Sequence, residues 1–208
     1  MGPFTGIPAI ITGHMALGRI KRSRGVMQGQ GMAIAGLILG YIFTAISVIV
    51  IPLLFAAGFA AGNSAITKAQ KITTLATATA IEMAVNNYMT EYGTMPSEGS
   101  SDTTLTTSAD NSLLEVLLGL EDKLNTRSIK FLSVREGSEK KNGLVYDSNG
   151  RSVVGLYDPW GGGYKVRLDL DSDEKLDVSG ESLDNRRVAV WSDGPDRKAG
   201  TKDDIKTW

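Results

Sequence analysis

The chain has no cysteine, one histidine and no acidic residue before Glu82. The missing cysteines exclude disulfides, thiolate metal centres and a cysteine nucleophile. The one histidine, His14, lies in an apolar stretch, where packing or hydrogen bonding is its expected role. No phosphate-binding loop is found either, so the expectation is a protein without enzymatic activity. The missing early acids leave the charge unevenly spread. Of the 22 Lys and Arg, five (Arg19, Lys21, Arg22, Arg24 and Lys68) precede Ala69, whereas all 23 Asp and Glu follow it, giving residues 69–208 a balance of −6 (17 against 23). A domain this acidic makes a poor partner for nucleic acid, since phosphate binding needs a basic face.

Charge is absent altogether from Gly25 to Thr67. Crossing a bilayer takes about 20 apolar residues, and residues 32–59 supply more than that, so they read as a transmembrane helix. Pro52 sits inside it and is expected to kink or locally break it. A shorter apolar segment, Phe4–Gly18, precedes it and carries Pro8. It reads as a truncated membrane helix or as a re-entrant or interfacial arm. Its positive charges follow the apolar run, unlike those of a secretory signal peptide. Between the two segments lies the basic loop 19–24, "RIKRSR", which the positive-inside rule keeps in the cytoplasm. Everything after about Gly62 then lies outside the bacterial inner membrane, in the periplasm of a Gram-negative cell. The expected division is a membrane anchor, 1–62, and an extracytoplasmic domain, 63–208.

The stretch "IPAIITGHMALGRIKRSRGVMQGQGMAIAGLILGYI" resembles a small bacterial two-helix membrane domain of unknown function. The resemblance covers about Gly6 to Tyr41 and implies an anchor without known chemistry. Gly36 and Gly40 form a GxxxG, a spacing that lets helices approach closely, though glycine is common in such helices anyway.

Beyond Gly62 the pattern turns amphipathic. Leu75, Ala78, Ile81, Val85, Tyr88 and Tyr92 follow the three- and four-residue spacing of one helix face, with Gly93 as the expected stop and Pro96 beyond it. Asn63 or Ser64 is a place for a break or cap. The face is expected to carry a small sheet; a coiled-coil partner is the alternative. Residues 97–112 read as a Ser/Thr/Asp-rich loop, 113–120 as a short helix and 128–134 as a strand or extended segment. Asn149-Gly150 signals a hairpin, and "YKVRLDLD" and "RRVAVWS" alternate as strands do. The fold class is therefore α+β: a transmembrane helical hairpin running into a long helix packed on a small antiparallel sheet.

The chain ends "VAVWSDGPDRKAGTKDDIKTW", gathering four aspartates before a final tryptophan. Calcium takes six to eight oxygen ligands in a flexible cage. Asp196, Asp203 and Asp204 supply carboxylates from both ends of a loop that Gly200 lets fold back. Carbonyls from Trp191 to Asp193 can add to the shell. A solvated turn with local salt bridges to Arg197, Lys198 and Lys202 is the competing reading. "DLDSDEKLD", Asp169 to Asp177, spaces Asp169, Asp171 and Asp173 alternately but lacks the glycine and terminal glutamate of an EF-hand loop. It reads as a turn between strands, with a weaker calcium site as the alternative.

The order of amphipathic helix, "EYGTMP", "DPWGGGYKVRL" and this ending resembles the major pseudopilin of type II secretion systems and type IV pilin-like proteins. Tyr88, Gly93 and Pro96 approximate the turn that ends the family's helix. Asp158, Pro159, Trp160, Gly161 and Tyr164 match the motif that opens its sheet. Ser192, Gly194, Asp196, Gly200, Asp203, Asp204, Ile205 and Trp208 match its calcium-binding loop. The resemblance covers roughly Ala69 to Trp208, poorly over 97–152. It implies calcium held by the side chains of Asp196, Asp203 and Asp204, with the Asp193 backbone nearby. It also implies pilin-like or secretion-platform proteins as partners, or a homo-oligomer in the membrane. The family's basic leader, its cleavage-site glycine and the glutamate opening its membrane helix have no counterpart here, which points to a pilin-like domain on a different anchor. The alternative function is an anchored extracytoplasmic domain that binds or senses a ligand outside any secretion system.

Overall fold

A computed structural model describes residues 6–23 and 28–208. Phe4, Thr5 and Arg24, parts of the expected first segment and basic loop, lie outside the described residues. The chain forms two compact units, Met1–Ile66 and Thr67–Trp208.

In the first unit, α1 (Gly6–Arg22) ends on Arg19, Lys21 and Arg22, so residues 19–22, expected in a loop, are its last turn, where cations suit the helix C-terminus. Its 17 residues rise about 26 Å, short of a hydrocarbon core about 30 Å thick. The long α2 (Gln30–Tyr92) follows. Within it Gln30–Ala56 is the one stretch among the described residues long and apolar enough to cross a membrane, by length and composition. Its large side chains, such as Ile49, Leu53 and Phe55, are exposed. It suits a membrane anchor or a signal sequence. Gly13 and Leu37 bring α1 and α2 together: a Cβ on Gly13 would lie 2.8 Å from Leu37 Cγ. His14 stacks edge-on against Tyr41, centroids 6.3 Å apart, and contacts the Ile10 carbonyl, which suits the packing role expected of it. The helix continues through Pro52 and through Asn63 and Ser64 without a break.

The second unit is α+β. The rest of α2 packs on a four-stranded antiparallel sheet in the order β1 (Thr103–Thr106), β4 (Lys165–Leu168), β7 (Val188–Ser192), β8 (Ile205–Lys206). Two hairpins, β2 (Gly143–Tyr146) with β3 (Val153–Tyr157) and β5 (Lys175–Val178) with β6 (Glu181–Asp184), and one short helix, α3 (Ser112–Leu118), complete it. Ala78, Ile81, Val85 and Tyr88 of α2 meet Val166, Leu168, Val188 and Val190 of the sheet and Leu113, Leu114 and Leu117 of α3. Behind the sheet a smaller core joins Leu176, Val178 and Leu183 to Ala189 and Trp191. All five residues of β7 are buried, since it lies between the two cores.

Four details of this unit depart from the sequence reading. The buried face of α2 takes Thr74, not Leu75, which is 42% exposed. Thr74 lies four residues before Ala78 on the same face, with its hydroxyl bonded to the Gln70 carbonyl at 2.9 Å, and burial pushes the pKa of nearby Tyr164 up to about 12. Second, residues 103–106 form an edge strand instead of a loop, Leu105 pairing with Val166. Third, residues 128–134 form no strand. The amides of Phe131 and Leu132 donate to the Leu117 carbonyl at the end of α3. The Ile129 amide donates to Asn125 Oδ1 at 2.9 Å. Buried Asn125 also donates to the carbonyls of Val116 and Ile129, so this segment's polar groups are spent on a loop. Last, Asn149-Gly150 does mark a hairpin, but its loop runs over six residues, 147–152, folded around the Asp147 carboxylate.

Candidate functional site

The loop from β7 to β8, residues 193–204, carries a dense set of polar contacts. Its base is fixed from below. The "DPWGGG" turn folds round buried Asp158, whose Oδ1 accepts the amides of Trp160 and Gly162 at 2.9 and 2.8 Å. Asp158 Oδ2 accepts the Ser192 hydroxyl at 2.6 Å, and Ser192 Oγ in turn accepts the Gly194 amide at 3.1 Å. This relay ties the loop to the turn that opens β4. Beside it Lys165 Nζ lies 2.7 Å from both oxygens of Asp193. The Asp193 carboxylate is thus engaged, leaving its backbone as the group available to a ligand.

At Gly194 the loop meets its own far end. With φ of +67°, a Cβ there would lie 2.3 Å from the Asp203 carbonyl oxygen. Only glycine satisfies both the conformation and the approach.

The structure brings Asp196, Asp203 and Asp204 around one atom. Thr201 Oγ1 lies 2.6 Å from Asp203 Oδ1, 3.3 Å from Asp204 Oδ1 and 3.4 Å from Asp196 Oδ1. The outer oxygens bond amides: Asp203 Oδ2 accepts the Asp196 N–H and Asp204 Oδ2 the Gly200 N–H. The Thr201 hydroxyl and the Asp196 amide hold the Asp203 carboxyl below its usual range. Thr201 was not among the residues singled out from the sequence, and a lone threonine offers no signal there.

Trp208 closes the region. Its ring packs edge-on against Trp191, centroids 5.8 Å apart, and its indole N–H donates to Glu181 Oε2 at 3.0 Å. Lys206 Nζ sits 4.9 Å from the indole centroid and 3.3 Å from the same Glu181 oxygen. The tail is thereby fastened to the β5–β6 hairpin.

A second acidic group gathers Asp102, Asp169 and Asp171, with one oxygen of each within 4.8 Å of the others. Asp169 is buried and already accepts the amides of Ser172 and Glu174. Asp171 and Asp173 accept the amides two residues on, from Asp173 and Lys175. Residues 169–175 are therefore a turn held by its own aspartates, and Arg167, 3.9 Å from Asp102, supplies a counter-charge. Asp102 joins from far away in the sequence, so spacing alone could not have revealed it.

Comparison with known proteins adds one finding. Residues 1–50 match the family described as a domain of unknown function, DUF4190. This agrees with the small N-terminal membrane domain read from the sequence. No curated protein and no solved structure gives a match to the chain.

Proposed function

We propose that this chain is a non-enzymatic, membrane-anchored, pseudopilin-like protein of a type II secretion or pilus-type apparatus, with calcium holding the loop 193–204. The observation that carries the reading is the convergence of Asp196, Asp203 and Asp204 on Thr201 Oγ1. A hydroxyl has one proton to give. It satisfies one of three carboxylate oxygens at a time; Asp196 Oδ1 also accepts the Lys198 amide at 2.8 Å and Asp204 Oδ1 the Thr201 amide at 3.3 Å, so among the described residues the three carboxylates meet hydroxyl and amide donors but no ion-pair partner. The donor set is all oxygen, three of them anionic, which is the chemistry of a hard cation such as calcium. The residues present therefore fit the ion: the three aspartates would hold it by their side chains, and the Asp193 backbone lies close by. Calcium would supply charge compensation and rigidity, with no reaction attached.

The anchor reading rests on the exposed apolar surface of Gln30–Ala56 and on the cations that end α1. By the positive-inside rule those cations stay in the cytoplasm of a bacterium and residues 67–208 stay outside. A partner is supported by Ile72, Leu75 and Met83. Ile72 and Met83 lie on the face of α2 opposite the core and Leu75 flanks it; they are 69%, 60% and 42% exposed. Pilin-like subunits, secretion-platform proteins or a second copy are the partners this reading names.

The test is thermal unfolding of the full chain in detergent, in EDTA and in millimolar calcium, beside Asp203→Ala. Calcium at ten times its dissociation constant stabilises by about 1.4 kcal/mol. A shift in the native chain that disappears in the variant supports the reading. No shift in either removes calcium from it. Crosslinking to secretion-platform proteins in cells tests the apparatus separately.

A further inference from the structure

Two Asn-Gly pairs and one Asp-Gly pair occur in the chain: Asn142-Gly143, Asn149-Gly150 and Asp193-Gly194. They share a latent reaction. The glycine nitrogen can attack the preceding side-chain carbonyl carbon and close a five-membered ring. Glycine, without a Cβ, offers the least resistance to that approach.

The fold holds two of the three shut. The Asn142 amide donates to the Asp158 carbonyl at 2.9 Å, and its carbonyl accepts Arg135 Nε at 2.7 Å. Gly143 is buried, and a Cβ there would lie 2.3 Å from the Arg135 carbonyl oxygen and 2.9 Å from Gly137 N. These bonds fix the Asn142 backbone, and the close backbone around Gly143 leaves that peptide little room to turn towards ring closure. At Asp193 both carboxylate oxygens are held by Lys165 Nζ at 2.7 Å, which restrains the side-chain carbon from turning towards the glycine nitrogen. The Gly194 amide is also engaged by buried Ser192.

Asn149 is different. It is exposed together with Ser148, Gly150 and Arg151, beyond the last pairs of the β2–β3 ladder. A Cβ on Gly150, where φ is +66°, would meet nothing within 4 Å. The Gly150 amide bonds the Asp147 carbonyl at 2.9 Å, and the Arg151 and Ser152 amides bond Asp147 Oδ1 at 2.8 and 3.1 Å. These contacts stay within the six-residue loop, so breaking them disturbs neither ladder nor core.

We propose that Asn149 is a self-modification site at which the folded protein deamidates while Asn142 is spared. The Gly150 nitrogen gives its proton to hydroxide and bonds to Asn149 Cγ. The Cγ–Nδ2 bond breaks, and with a proton from solvent ammonia leaves. Water then opens the ring at either carbonyl, leaving aspartate or isoaspartate at position 149. One water is consumed, one ammonia is released and no electron is transferred. The loop gains a negative charge beside Asp147. The isoaspartyl product also lengthens the main chain by one carbon in a turn built to a fixed register.

The experiment is incubation of the full chain in detergent in mildly alkaline buffer, with and without urea. Trypsin releases residues 142–151 as one peptide carrying both asparagines, and fragmentation by mass spectrometry assigns the change. In the folded chain position 149 converts roughly tenfold faster than 142 or more, equivalent to ~1.4 kcal/mol of barrier. In urea the two rates converge, and Gly150→Ala slows position 149. Equal rates in the folded chain, or an Asn149 that survives there while the unfolded chain converts, would overturn the proposal.

Discussion

Trp208→Ala tests whether the last residue is a structural fastener. The side chain is partly buried, packs edge-on against Trp191 and lies under the Lys206 ammonium. A fully buried tryptophan cut to alanine costs about 3–5 kcal/mol. An edge-to-face pair contributes roughly 0.5–1.5 kcal/mol of such a loss. For a partly exposed ring, about 2 kcal/mol is expected, which for a unit of this size lowers Tm by about 5–10 °C. The assay is thermal unfolding by near-ultraviolet circular dichroism, paired with limited proteolysis of the tail. Trp208→Phe keeps a ring on Trp191 and loses the indole N–H, so it should recover more than half of the loss. An alanine variant with native Tm and native tail cleavage would refute the fastener. If phenylalanine falls as far as alanine, the bond to Glu181 is what matters and the packing argument is wrong.

Other perturbations separate the parts of the site. The indole of Trp208 and then Lys206 hold the Glu181 carboxyl below its ordinary range. A depressed pKa contributes stability above the unfolded value that is lost as pH falls through the folded one. Protection factors of the tail amides, each taken against the intrinsic exchange rate at that pH, should therefore fall on acidification below the usual glutamate range, and Glu181→Gln should flatten that dependence. Gly194→Ala should cost more than Gly200→Ala in equilibrium unfolding. Both need positive φ, a penalty of about 1–2 kcal/mol, but a Cβ at Gly200 meets open space and one at Gly194 meets the Asp203 backbone. Equal losses would mean the close approach is not real. Because the chain has no cysteine, Ile72→Cys gives a single reactive probe on the exposed face of α2. Oxidation in membranes should yield a disulfide dimer if a second copy covers that face, and Ser182→Cys on an exposed hairpin should not.

Periodicity carried most of the architecture. The uncharged run marked the apolar helix, the spacing Ala78, Ile81, Val85, Tyr88 marked the core face, and alternation marked β4 and β7. Apolar character misled at Leu75: the steps 74, 78, 81, 85, 88 carry the buried face to Thr74, whose hydroxyl bonds the Gln70 carbonyl. Periodicity failed where a tertiary partner overrode local character. Residues 128–134 alternate like a strand, yet their amides answer to Asn125 and to the end of α3. At the candidate site, the aspartates were visible as residue types at a spacing. The atom they share, Thr201 Oγ1, and the engagement of Asp193 by Lys165 were not, because both depend on how the loop closes.

The position of β7 sets an order of events. It is an interior strand whose two faces complete two different cores, and it lies late in the chain, at residues 188–192. β4, made earlier, pairs on one edge with β1 from some sixty residues upstream and on the other with β7. The long helix can form from local contacts as soon as it is made, but the sheet depends on distant pairings and is slow by nature. Until residues 188–192 arrive, Val166 and Leu168 have no neighbour on one side and the small core has no wall. During synthesis the unit is a helix followed by an unfinished sheet until β7 is made. It becomes a folded body only when nearly all of it has emerged.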